Sequence, residues 1–175
     1  MEVINNIDKR LGDDLRSTMH RDAKVSIAAA YFSIYAYEAL KSELERIKEL
    51  RFIFTSPAFI ADQFPKEKRE FYIPKLSREK SLYGTELEIR LKNELSQKAI
   101  ARECTEWIRG KARFRTNITS GAMQGFITVQ HGDETTTYMP VNGFATVDLG
   151  FEPGTALSNM VNRFNEYPIS NTYIE

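Results

Sequence analysis

Lys24-Val25-Ser26-Ile27-Ala28-Ala29-Ala30-Tyr31-Phe32 is a short run of small, β-branched and aromatic residues with no charge after Lys24. Runs of this length and composition form strands buried on both faces, as parallel sheets require. Downstream, Tyr37, Leu40, Leu44, Ile47 and Leu50 recur at helical spacing, with Glu43 and Lys48 among the residues of the solvated side. Leu50-Arg51-Phe52-Ile53-Phe54-Thr55 is then a second strand, stopped by Ser56-Pro57. Strand, helix and strand in this order predict a βαβ unit with a right-handed crossover. Upstream, Ile4, Ile7, Leu11, Leu15 and Met19 form an apolar stripe that predicts an opening helix.

Beyond the βαβ unit, Pro57 to Tyr83 holds Pro65, Pro74, Phe64, Phe71, Tyr72 and a run of charges, and is expected to make a surface excursion. Helical spacing returns from Glu86 to Arg109 through Leu91, Leu95, Ile100, Cys104 and Ile108, with Trp107 as an anchor and Gly110 as a stop. Ala112-Arg113-Phe114-Arg115-Thr116 alternates as a strand does. Gly125 to Gln130 and Thr135 to Met139, joined by His131-Gly132-Asp133-Glu134, make a hairpin. Phe144 to Val147 is expected to add a strand, and Ala156 to Phe164 a last helix.

The length of 175 residues suits one domain, and 42% hydrophobic with 27% charged residues is a globular composition. Lys+Arg and Asp+Glu both number 24, so any grip on a polyanion must come from a local patch rather than from net charge. Cys104 is the only cysteine, which excludes an internal disulfide and a cysteine-built zinc site. No apolar stretch is long enough to span a bilayer and Met1 to Asn6 begins no secretory signal, so the expected compartment is the cytoplasm, with no membrane partner.

Three stretches resemble one half of a phospholipase D-like fold. Val25 to Ser33 with the helix after it is similar to the opening strand and corner of such domains. Gly125 to Met139 is similar to the hairpin that begins with their His-x-Lys, and Val141-Asn142-Gly143-Phe144-Ala145-Thr146 to a worn Gly-Ser-x-Asn-φ-Thr segment. Ser26 to Tyr35, Phe52 to Pro57 and Met139 to Phe144 also resemble the domain that precedes the motor in bacterial helicases of the Swi/Snf or DEAD-box superfamily. The resemblance implies an α/β fold with a mixed, mostly parallel sheet flanked by helices. It implies that residues 1–175 are a single domain from the front of a longer, ATP-hydrolysing helicase. No Gly-x-x-x-x-Gly-Lys-Ser/Thr loop occurs within these residues, and no cofactor is expected in them.

Phospholipase D-type chemistry needs a histidine nucleophile, a lysine that neutralises phosphate oxygens and a second histidine as acid. Where the resemblance puts His-x-Lys, the chain reads Met123-Gln124-Gly125, and neither His20 nor His131 starts that motif. The expectation is a degenerate, non-catalytic domain. His20 reads as a helix-end residue, His131 as a turn residue, and the pair, far apart in sequence, as no metal site. Nucleic acid is the expected partner. Arg109, Lys111, Arg113 and Arg115 follow one another at every second residue with no acid between, so in a strand Lys111, Arg113 and Arg115 share a face and could hold phosphates. A solvated face balanced by Glu103 and Glu106 is the competing account of the same row. A second basic patch, Lys66, Lys68, Arg69, Lys75, Arg78 and Lys80 around Phe71 and Tyr72, is diluted by Glu67, Glu70 and Glu79. Two other functions stay open: an active phosphodiesterase or nuclease whose site lies elsewhere, and an interaction module that forms a homodimer across the degenerate active-site edge.

Overall fold

The computed structural model describes residues 1–55, 86–119, 121, 123–152 and 160–165, with the side chains of 86–95 excepted. The expected excursion from Pro57 to Tyr83, with its basic and aromatic patch, lies outside the described residues.

The chain is an α/β protein, and its described residues form an open seven-stranded mixed sheet. In chain order the elements are β1 (Glu2–Ile4), α1 (Leu11–Thr18), β2 (Lys24–Ala29), α2 (Ile34–Ala39), α3 (Lys41–Leu44), β3 (Glu49–Phe54), α4 (Glu86–Lys111), β4 (Ala112–Thr116), β5 (Phe126–His131), β6 (Glu134–Met139) and β7 (Val161–Phe164). The spatial order is β1-β7-β6-β5-β2-β3-β4. The parallel block expected from the βαβ pattern is present as β2–β3–β4. The rest of the sheet is antiparallel: β2 with β5, β5 with β6, β6 with β7 and β7 with β1. The expected mostly parallel sheet is therefore corrected to one with more antiparallel pairings than parallel ones. Parallel pairing needs a long crossover, whereas the two residues between β5 and β6 can only reverse the chain.

Register decides which side chains are buried. Val25, Ile27 and Ala29 of β2 share a face with Leu50 and Phe52 of β3, Ile127 and Val129 of β5 and Tyr138 of β6. These join Leu11, Leu15, Tyr37, Leu40, Leu44, Cys104 and Trp107 from the helices in one core. Trp107 packs on Tyr37 at 5.1 Å between ring centroids, and its indole N–H donates to the Leu44 carbonyl at 3.0 Å. Near the carboxyl ends of the parallel strands, Phe32, Phe52, Phe54, Phe114 and Phe144 form a continuous ring cluster with centroid spacings of 4.9 to 5.9 Å. Such spacings allow the edge-to-face and offset arrangements that aromatic pairs favour.

Four expected elements are redrawn. The opening helix begins only at Leu11. Ile4 belongs to β1 and Ile7 is exposed. Two asparagines explain the late start. The Asn5 side-chain oxygen accepts from the N–H groups of Ile7, Asp8 and Lys9. Asn6, at φ 55°, accepts from the Leu11 N–H and donates to the Asp148 carbonyl. These side chains offer the backbone an alternative to a helical turn. The second helix divides at Leu40, whose φ of −113° leaves the helical range, giving α2 and α3. Its apolar stripe stays buried, with Leu50 contributed by β3 instead. Phe144 to Val147 does not make a strand: Phe144 forms one isolated bridge to Phe32 and a turn follows. Within the expected last helix, Val161–Phe164 is a strand pairing with β1 and β6, and residues 153–159 lie outside the described residues. That pairing sets Arg163 across from Tyr138, on the core side, where its guanidinium reaches Asp14 at 3.2 Å. Asp14 also accepts from the Tyr138 hydroxyl at 2.7 Å and meets Lys9 at 3.1 Å, while Glu2 bridges Lys9 and Arg163. This ionic ring ties β1, α1, β6 and β7 together.

Candidate functional site

The basic row expected to grip phosphate divides into two parts. Arg113 and Arg115 lie on β4, the edge strand among the described residues, and are exposed, on the face opposite Ala112 and Phe114, as alternation predicts. Lys111 does not share that face. It is the last residue of α4, which runs through Gly110 directly into β4, and its ammonium donates to the carbonyls of Glu45 and Ile47. Arg109 is exposed in the last turn of α4, where a cation complements the helix dipole. The acids expected to neutralise the row are engaged elsewhere. Glu103 pairs with Lys41 at 2.8 Å and Glu106 with Arg102 at 3.2 Å. Among the described residues, neither Arg113 nor Arg115 forms an ion pair.

A third arginine belongs beside this pair. Parallel register sets Arg51 against Arg113, so the two point to the same face. Arg51 is exposed and holds Glu49 at 2.7 Å. The alternation Leu50-Arg51-Phe52 carried the outward direction of this side chain, but its neighbour could be known only from the register.

The other candidate region is the carboxyl edge of the parallel strands, where open α/β sheets commonly bind ligands. Thr55, at the end of β3, anchors the loop from β4 to β5. Its carbonyl accepts from the side-chain amide of buried Asn117 at 3.2 Å and from the Met123 N–H at 3.3 Å. Asn117 also donates to the Gly121 carbonyl at 2.8 Å and accepts from the Thr119 N–H and hydroxyl. Met123 and Gln124 are exposed and Gly125 is buried. The Gly125 carbonyl accepts from the Val141 N–H at 2.9 Å, and a Cβ on Gly125 would run into the Val141 carbonyl oxygen. With this backbone no side chain, lysine included, can stand at position 125 unless Val141 moves.

Asp148 and Tyr31 form the polar pair of this edge. A Cβ on Gly143 would run into the Tyr31 ring and stand 2.7 Å from Asp148 Oδ2, so the missing side chain lets phenol and carboxylate close over the backbone. Asp148 is buried, and desolvation raises its carboxyl above the ordinary value, against the opposing pull of the Tyr31 phenol and backbone hydrogen bonds at Ala145 and Gly143. Desolvation, then the nearby Asp148 charge and hydrogen bond, push the Tyr31 phenol up to about 12. A cavity of about 150 Å³ lies beside them, lined in part by Gln124, Asn142 and Asp148. The pair can donate and accept hydrogen bonds, but neither member is the histidine nucleophile that phospholipase D-type chemistry uses. Sequence reasoning missed it. The only trace is a lone acid between apolar neighbours in Val147-Asp148-Leu149.

Both histidines are absent from this edge. β5 begins there at Phe126 and delivers His131 to the opposite end of the sheet, about 17 Å along the strand. His20 and His131, far apart in sequence, meet at that end with ring centroids 5.4 Å apart. The described residues hold no group of three or more His, Cys, Asp or Glu placed to hold a metal ion. They also contain no helix long and apolar enough to cross a membrane. No protein-family model matches the chain, and no curated protein matches it.

Proposed function

We propose that the chain is a degenerate, non-catalytic phospholipase D-like domain that helps a larger ATP-driven helicase hold nucleic acid. The observation that carries this reading is the pair Arg113 and Arg115, exposed on an edge strand and without an ion-pair partner among the described residues, with Arg51 beside it. Guanidinium groups held on a strand can meet phosphate oxygens in a fixed register. The non-catalytic half of the reading is supported by Met123-Gln124-Gly125 in place of a His-x-Lys, and by the distance of both histidines from that edge.

Two assays on the purified chain test the proposal. Fluorescence anisotropy with labelled single- and double-stranded oligonucleotides should show salt-sensitive binding that weakens when Arg113 and Arg115 become alanine. Incubation of the same protein with nucleic acid and with a phosphodiester reporter should leave both intact. Metal-independent cleavage would replace this reading with that of an active phosphodiesterase.

A second reading is favoured by another observation. Tyr31, Ile118, Met123 and Met160 are large apolar side chains exposed in segments at or next to the carboxyl edge, with Ile118 95% exposed. A homodimer across this edge would cover them. Sedimentation equilibrium showing a dimer that Met123→Glu breaks would support that function.

A further inference from the structure

We infer that His20 and His131 form an open, two-imidazole site for a borderline divalent transition metal, at the end of the sheet opposite the carboxyl edge. The juxtaposition follows from the fold. Ile127, Val129 and His131 alternate along β5, so His131 continues the row that faces the core. α1 packs on that same face, its Thr18 hydroxyl 2.8 Å from the hydroxyl of Tyr138. The chain leaves α1 through Met19, whose N–H bonds the Leu15 carbonyl, and the His20 N–H then bonds the Thr18 carbonyl at 2.9 Å. This compact exit places the His20 ring against His131. Both residues are exposed, so an ion reaches them without opening the core.

The spacing suits chelation. Two imidazoles bound through nitrogen to one tetrahedral ion, with bonds of about 2.0–2.1 Å, have ring centroids roughly 5 Å apart. The observed separation is 5.4 Å, and the rings are inclined at 61° rather than stacked. Nitrogen lone pairs lie in the ring plane, so inclined rings can aim them at a common point where stacked rings cannot. Imidazole selects zinc, copper and nickel over magnesium and calcium, which prefer oxygen. The described residues supply no third His, Cys, Asp or Glu to the group, so water or a ligand of the ion fills its remaining positions. The site depends neither on the nucleic-acid reading nor on the degenerate edge.

Isothermal titration of the tag-free chain with Cu²⁺, Ni²⁺, Zn²⁺ and Mg²⁺ tests the inference. One Cu²⁺ should bind per chain, more tightly than Ni²⁺ or Zn²⁺, and Mg²⁺ should not bind. His20→Ala and His131→Ala should each weaken binding on the order of a hundredfold, because either change turns a chelate into a single attachment. In NMR spectra of the unaltered chain, Cu²⁺ at low stoichiometry should broaden the imidazole signals of both histidines together. Binding that survives either substitution, broadening of one histidine alone, or no saturable binding of any of the three transition metals would overturn the proposal. Thermal melts of the two variants should match the parent, since each substitution removes an exposed side chain.

Discussion

Changing Arg113 and Arg115 together to alanine is the sharpest probe of the basic edge. In a strand, residues two apart stand about 6.6 Å from each other. Phosphates on one strand of a duplex advance about 3.4 Å each along the axis while winding around it, which sets neighbours roughly 7 Å apart, so the two guanidiniums can meet adjacent phosphates. Each phosphate neutralised contributes about 0.9 to the slope of log K against log salt on duplex DNA, and about 0.7 on single strands. Losing both contacts should therefore flatten the duplex slope by about 1.8. Between 50 and 200 mM salt, the parent should lose about twelvefold more affinity than the variant. Anisotropy titrations at four or five salt concentrations measure this directly. Arg10→Ala with Lys98→Ala makes the same change in net charge at exposed positions elsewhere, and should leave the slope near the parental value. An unchanged slope in the Arg113/Arg115 variant, or an equal flattening in the control, would refute the assignment of these residues to phosphate contact.

Three further outcomes follow from the core and the carboxyl edge. Trp107→Ala removes a buried ring packed on Tyr37 and leaves the Leu44 carbonyl without its donor, and should cost about 3–5 kcal/mol in urea denaturation. Burial pushes the Cys104 thiol up to about 11, so Ellman's reagent at pH 8 should label Cys104 only after denaturation. Folded Asp148 holds its proton more tightly than the unfolded chain does, so its contribution to stability falls as pH rises from the ordinary value of 3.8 through the raised folded value. Asp148→Asn removes that dependence. Denaturation curves should show the variant gaining on the parent between pH 4 and pH 7, and a constant difference across that range would contradict the desolvation of Asp148.

What the sequence determined by itself is the pattern of burial within each element. Small and β-branched residues from Val25 to Ala29, alternation in Ala112 to Thr116 and the turn at Gly132-Asp133 suffice for β2, β4 and the β5–β6 hairpin, because periodicity is a local property. The apolar stripe from Tyr37 to Leu50 marked its buried residues correctly even though the helix divides at Leu40. The outward direction of Arg113 and Arg115 was legible for the same reason.

Tertiary structure decided what lies next to what. Asn5 and Asn6 delay α1 through side-chain bonds, one of which reaches Asp148, and no local pattern announces that contact. Val161 to Phe164 becomes a strand because β1 and β6 offer it edges to pair with. Lys111 is drawn from the arginine row by the carbonyls of Glu45 and Ile47, while register brings Arg51 towards it. The histidines meet only because β5 runs back to the end of the sheet where α1 finishes. Side-chain direction follows from spacing along the chain, but a site requires groups from distant segments to converge, and only the pairing of strands and the packing of helices brings that about.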